Sequence, residues 1–332
     1  MKPTIKDVAR KANVSVATVS RVLNNQPGYS VETEKKVLEA IDELGYHPNA
    51  LARGLVGKRT KTLGVLIPRI SNMVSSQIMN GIEDAAHKND HSVIICNTDN
   101  DGQKTMVYLD VLREKRVDGI IVVSEMLTEE YANKLVELKV PVILISTIDE
   151  TGQFPHIKVN DEQAAYQATE YLISKGHKNI AMISGTPEDM VAGKPRLDGY
   201  KKALRENGLP VKEENIVFGD FWFDSGKECM ERLLNNNQGI TAIFVASDEM
   251  AAGALSTAYK SGIRVPEDIS IIGFDNTQLA EMTIPPLTTV SQPFYQMGYK
   301  GLKLLLKAIK GKEVNSAILP HVIVERETVK KV

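Results

Sequence analysis

The chain opens with two short apolar patterns set back to back. Ile5, Val8, Ala9 and Ala12 follow the i, i+3, i+4, i+7 spacing of one helix face. Val19, Val22 and Leu23 repeat that stagger in a second helix, which Ser15 is placed to N-cap. Only Asn13 and Val14 separate the first helix from this cap, so the two must turn sharply against each other. Asn25, Gln26, Pro27 and Gly28 then break the pattern. Val31 to Leu44 predicts a third helix, with Val37, Leu38, Ile41 and Leu44 on one face closing a small core, and Gly45 ends it.

From residue 61 short apolar runs alternate with helical stretches. Strands are predicted at Leu63–Ile67, Val93–Cys96, Gly119–Val123 and Val142–Ile145, then at Ile180–Ile183, Ile216–Phe218, Ala242–Val245 and Ile269–Ile272. Near-continuous apolar runs at βαβ intervals suit parallel strands covered on both faces. The fold class expected is an all-α helix-turn-helix head followed by an α/β body of two Rossmann-like parallel-sheet subdomains. The two series share architecture without a sequence repeat.

Composition adds one asymmetry. The net charge of −2 by itself argues against a nucleic-acid partner. Residues 1–60, however, hold ten Lys/Arg against six Asp/Glu, and residues 61–332 hold thirty against thirty-six. A basic head on an acidic body suits a protein that docks one end on phosphates. Cys96 and Cys229 are too few and too distant for a disulfide framework, and Cys96 lies in an apolar run that buries a reduced thiol. The first residues, MKPTIKDVARK, lack the apolar core of a signal peptide, and no run approaches membrane-spanning length. The compartment expected is the cytoplasm, with no membrane partner.

The second helix leaves Val16, Ala17, Ser20, Arg21 and Asn24 on its outer face. Small side chains with one arginine and one asparagine suit entry into a DNA major groove, where a merely structural surface would carry Glu/Lys pairs. The string D-V-A-x-x-A-x-V-S-x-x-T-V-S-R-V-L-N runs unbroken from Asp7 to Asn24. It resembles the DNA-binding head of the lactose-repressor (LacI/GalR) family. The resemblance implies DNA contacts from Thr4, Ser15, Val16, Ala17, Thr18, Ser20, Arg21 and Asn24. Lys2, Lys6, Lys35 and Lys36 are available to neutralise phosphates.

Asn49 to Leu55 reads equally as a plain linker or as a short, Asn49-capped helix weakened by Gly54 and Gly57. The family resemblance makes it a hinge helix that orders on operator DNA. Asn49 and Ala52 would then contact DNA, and Leu55 would wedge into the minor groove. The resemblance extends to the last strand and implies three crossovers between subdomains, near Asn160–Asp161, Thr289–Ser291 and Leu319–His321. The domains expected are a head at 1–46, a hinge at 47–60, one subdomain of 61–160 with 291–319, and another of 161–290 with 320–332. The pattern alone does not predict that exchange.

Open α/β sheets bind ligands at the carboxyl ends of their strands, and several polar residues fall there. Asp275 follows Ile269–Ile272, Asp248 follows Ala242–Val245, and Asn160 follows Ile157–Val159. Arg196 stands early in a helix, before Gly199-Tyr200. A guanidinium opposite a carboxylate grips hydroxyls well, and Phe221 or Trp222 offers an aromatic wall. The family resemblance places effector contacts at Arg196, Asp275, Phe221 and Asn160, with Ser71, Asn72 and Met73 on the opposite lip. Structural alternatives stand beside these roles. Asp248 equally caps the following helix, Asp275 can stabilise its own turn, and Arg196 can form a structural ion pair.

Enzyme signals are weak. The six histidines show no metal-ligand spacing, and His177 sits at a capping position between a helix and a strand. No GxSxG, Walker A string or dinucleotide fingerprint is present. The expectation is a non-enzymatic, cofactor-free dimeric transcription regulator, a repressor of a near-palindromic operator, tuned by a small effector, first a sugar. The rival is a sugar-binding module or small α/β enzyme in which 1–60 is an appendage. The resemblance leaves open a phosphorylated carrier protein as the signal, which the family's catabolite-control branch uses and whose last-helix region carries a distinctive basic pattern. The stretch QPFYQMGYKGLKLLLKAIK shows no convincing match to it.

Overall fold

The computed structural model describes residues 3–23, 26–46, 59–99, 101–149, 151–236 and 239–332. Two compact units divide at residues 60 and 61. The first holds helices α1 (Ile5–Lys11), α2 (Val16–Leu23) and α3 (Val31–Leu44). Val8, Ala9, Ala12, Val19, Val22, Val37 and Ala40 meet in its core, with Tyr46 closing one side. Leu38 does not join them: it is 52% exposed. Val37, Ala40, Ile41 and Leu44 keep the i, i+3, i+4, i+7 spacing, and Leu38 is rotated about 100° out of that stripe. Ser30 caps α3 by accepting from the Thr33 N–H at 3.2 Å, and Gly45 ends it at φ 59°.

The second unit is built on two six-stranded sheets among the described residues. The first takes β1 (Thr62–Ile67), β2 (Ser92–Asn97), β3 (Gly119–Val123), β4 (Val142–Ile145) and β5 (His156–Lys158), in the order β2-β1-β3-β4-β5. Helices α4 (Met73–His87), α5 (Gly102–Glu114) and α6 (Glu129–Glu137) connect these strands. The second sheet repeats that order with β6 (Ile180–Ser184), β7 (Ile216–Phe218), β8 (Ala242–Val245), β9 (Ser270–Asp275) and β10 (Thr288–Ser291), as β7-β6-β8-β9-β10. Its helices are α7 (Asp161–Ser174), α8 (Gly193–Glu206), α9 (Phe223–Asn235), α10 (Asp248–Lys260) and α11 (Gln278–Met282). Central strands β3, β4, β6, β8 and β9 are buried throughout, as continuous apolar runs require, whereas edge strand β2 is half open.

The chain then changes sheets twice more. Helix α12 (Phe294–Ile309) returns to the first subdomain and packs on α4. A Cβ on Gly298 would stand 2.0 Å from the Ile78 carbonyl, and one on Gly81 would stand 2.1 Å from the Tyr295 carbonyl. Glycine at both positions is what lets the two helix backbones approach so closely. Strand β11 (Ala317–Ile318) pairs with β5, and β12 (Val322–Val324) returns to lie antiparallel to β10.

Cys96 and Cys229 are free and buried, and burial pushes the Cys96 thiol up to about 11. His177 does more than the capping expected of it. Its backbone N–H closes the helix Asp161–Ser174 by donating to the Leu172 carbonyl at 3.2 Å, and its buried ring lies against Thr241 Oγ1 at 3.0 Å and the Lys330 carbonyl at 3.2 Å, which anchors the C-terminal segment as well. Among the described residues no helix is long and apolar enough to cross a membrane.

Candidate functional site

Helix α2 presents Ser15, Val16, Ala17 and Arg21 to solvent, with Thr18 and Ser20 half-buried beside them. Ser15 Oγ accepts from the Thr18 N–H at 3.0 Å and pairs with Thr18 Oγ1 at 2.9 Å, so both residues secure the start of the helix. No acidic residue occupies its first turn, in contrast to Glu32 and Glu34 in α3. The positive end of α2 is therefore left uncompensated, which favours an approaching phosphate. Thr4 is exposed at the start of α1, donating its N–H and hydroxyl to Asp7 at 2.9 and 2.6 Å. These two bonds, the hydroxyl first, hold the Asp7 carboxyl below its ordinary value.

The lysines divide. Lys6 is exposed, whereas Lys36 is bonded to Glu32 at 2.8 Å and Lys35 lies 3.9 Å from Glu39. Lys2, Asn24, Asn49, Ala52 and Leu55 lie outside the described residues.

A cavity of about 920 Å³ opens between the two sheets of the second unit, at the carboxyl ends of their strands. Ser71, Asn72, Met73, Arg196, Phe221 and Asp275 all line it. Asn72 also caps α4, accepting from the Ser75 N–H at 2.6 Å. Phe221 stands at φ 71° with its ring over Gly185, where a Cβ would lie 2.1 Å from the ring edge. Asp275 closes β9 at φ 123°, and Asn276 follows at φ 56°. Two successive residues in the left-handed half of backbone space mark strain of the kind that gathers at ligand sites.

Two expected residues are placed elsewhere. Asn160 does not line the cavity; it is the exposed N-cap of α7, accepting from the Gln163 N–H at 3.0 Å. Asp248 is fully buried and also outside the cavity lining. Its carboxylate accepts from the Thr277 N–H at 2.7 Å, the Thr277 hydroxyl at 3.1 Å and the Thr289 hydroxyl at 2.5 Å. Nor does Asp248 cap α10, because Ser247 does so by accepting from the Met250 N–H at 3.1 Å. One step along the helix start turned the side chain from the cleft into the core.

Arg196 is buried and heavily engaged. Nε donates to Asp161 Oδ1 at 2.9 Å, Nη2 lies 2.9 Å from the same oxygen, and Nη1 donates to the Ala246 carbonyl at 2.6 Å. The guanidinium stacks 3.8 Å from the Phe274 ring centre and leaves Asp275 Oδ1 at 3.9 Å. Asp275 in turn accepts from Gln292 Nε2 at 2.8 Å. Burial drives its carboxyl well above the ordinary range, opposed by Arg196 and reinforced by the nearby Asp248.

Sequence reasoning missed four contributors. Lys158 Nζ lies 3.0 Å from Asp161 Oδ2 and donates to the Val191 carbonyl at 3.1 Å, so Asp161 carries two buried cations. Gln292 follows β10, and Arg69 follows β1 with its guanidinium 4.3 Å from the Trp222 ring centre. A lysine inside the apolar run Ile157–Val159 was the visible clue to the first of these.

The comparisons with known proteins cover both units. The family model of bacterial regulatory proteins, lacI family, matches residues 4–49, and that of the periplasmic binding protein-like domain matches 169–329. Catabolite control protein A of Priestia megaterium is 47% identical over 332 residues, covering 99% of this chain and 100% of that protein. The lac repressor dimer bound to operator and the anti-inducer ONPF superimposes with TM-score 0.91 at 32% identity, over 99% of this chain and 100% of that one. The transcriptional regulator CelR in complex with cellobiose matches with TM-score 0.76 at 32% identity, over 98% and 99%. The chain belongs to the lacI family of bacterial regulatory proteins and is a DNA-binding transcriptional regulator.

Proposed function

We propose that the protein is a dimeric repressor whose affinity for a near-palindromic operator is set by a small sugar-like effector in the cleft. Two heads lay their α2 helices in successive major grooves. Ala17, Ser20 and Arg21 read base edges, Val16 makes apolar contact, and Thr4, Ser15, Thr18 and Asn24 lie along the backbone. Residues 47–60 form the hinge, with Asn49 and Ala52 near DNA and Leu55 as the minor-groove wedge. The body divides as 61–160 with 291–319 and 161–290 with 320–332, and Ser71, Asn72, Met73, Arg196, Phe221 and Asp275 contact the effector. The work is binding without catalysis, in the cytoplasm where the operator lies.

The observation that carries this reading is the pairing, in one chain, of an acid-free, small-residue α2 face with a cavity where polar groups converge from both sheets. The dimer and operator in the lac repressor structure, and the cellobiose of CelR, support the same assignment. The test is selection of bound duplexes from a randomised library by the full chain. Enrichment of a near-palindrome is expected; recovery of unenriched sequences defeats the reading.

A further inference from the structure

The charges around the cavity are unequal. Among the described residues, eight carboxyl side chains line it against three cations, Arg69, Lys158 and Arg196. Two of the three are already held by a carboxylate. Asp161 holds both Lys158 and Arg196, and Arg69 lies on the Trp222 ring with Asp99 and Glu249 in its field.

Glu125 is the opposite case. It follows β3 at the cavity wall and is only 6% exposed. Its Oε1 accepts from the Thr105 hydroxyl at 2.9 Å and its Oε2 from the Tyr131 hydroxyl at 3.3 Å, with the Thr98 hydroxyl also near. Among the described residues no cation pairs with it. A carboxylate kept out of water by neutral hydroxyls alone is costly unless a further donor arrives.

Taking the cleft as the effector site, we propose that the effector is an amine-bearing polyol of amino-sugar size, with its ammonium on Glu125. An ammonium brings three N–H donors and the charge the wall lacks. A phosphorylated sugar brings the wrong sign into a cavity whose lining carboxyls outnumber its cations, and like charges at close range are a strong device for rejection. The aromatic face on the second subdomain's side, Phe221, remains for the sugar ring.

The test is calorimetric titration of the full-length protein with matched sets of one ring stereochemistry: glucose, glucosamine and glucose 6-phosphate, then the galactose set. The amine should bind at least about tenfold tighter than its neutral parent, and the phosphate more weakly than the parent. Glu125→Gln should erase the amine advantage, bringing glucosamine level with glucose in the same variant. Glu125→Asp, with its charge one methylene back, should retain part of the advantage and serves if the Gln variant does not fold. A phosphate that binds as tightly as the amine, or an advantage that survives Glu125→Gln, overturns the amine assignment while leaving the cleft as effector site. Failure of every member of both sets to bind overturns the amine assignment and the cleft reading together.

Discussion

The guanidinium of Arg69 lies 4.3 Å from the ring centre of Trp222, and the two residues come from opposite sides of the cleft. Arg69 follows β1 of the first sheet, and Trp222 follows β7 of the second. A cation over an indole face bridges the subdomains at the cavity lining, a contact worth about 1 kcal/mol. Because it crosses the cleft, it favours the closed arrangement over any arrangement in which the sheets swing apart.

Trp222 is the only tryptophan of the chain, so its fluorescence reports this contact without interference. Arg69→Ala should shift the emission and weaken a cleft ligand by roughly fivefold, the equivalent of about 1 kcal/mol. The variant should leave operator affinity of the ligand-free protein within about twofold, since Arg69 is not in the head. An unaltered spectrum in Arg69→Ala would remove the bridge.

Among the described residues, Asp161 is the one carboxylate bonded to two buried cations, Lys158 and Arg196. Asp161→Asn keeps the shape and removes the charge, leaving both cations uncompensated out of water. Breaking a buried pair in this way costs about 3–5 kcal/mol. Urea unfolding should show the midpoint falling with the slope unchanged. A loss within about 0.5 kcal/mol, as at an ordinary surface position, would mean that water reaches this cluster.

Asp275 gives a pH dependence of definite sign. Burial raises its carboxyl above the ordinary value of 3.8 in the folded protein. The unfolded chain therefore ionises first, and stability from this group, full below that value, is lost as pH climbs toward the raised one. Asp275→Asn still accepts from Gln292 and has no proton to lose. Its stability relative to the parent should therefore improve between pH 5 and pH 8, read as melting temperatures at the two pH values. A difference that is constant with pH would show that Asp275 stays ionised in the fold.

Much of this was legible in residue order. The head helices follow from apolar spacing, and the central strands follow from uninterrupted apolar runs that only a doubly covered sheet can bury. Arg196, Phe221 and Asp275 line the cavity because strand ends of an α/β sheet converge on one crevice. What stayed hidden depends on rotation and on partners distant in sequence. Leu38 sits one position from Val37, which is placed as expected, and about 100° of helix rotation sends it the other way, while Asp248 turns into hydroxyls of Thr277 and Thr289 that are distant in sequence. The Lys158–Asp161–Arg196 cluster joins β5, α7 and α8, so no local pattern announces it. The return of α12 to the first subdomain came from family likeness, and its physical basis, the Gly81 and Gly298 contact, needed the packed helices.

On the head, the structure separates residues that composition treats alike. Arg21 is exposed on α2 and Lys6 on α1, while Lys36 already holds Glu32 at 2.8 Å. A guanidinium at a base edge contributes about 1–3 kcal/mol of discrimination, so Arg21→Ala should weaken the preferred duplex by that amount and a scrambled duplex far less. Lys6→Ala should weaken both duplexes alike and lower the salt slope by about one, as loss of one phosphate contact requires. Lys36→Ala should do least, because removing it frees Glu32 and gives up a cation that was already neutralised. Gel shifts of the three variants on both duplexes, across a salt series, distinguish these outcomes. If Arg21→Ala weakened both duplexes equally, its place would be on the phosphates, and base reading would fall to Ala17, Ser20 and the residues beyond them.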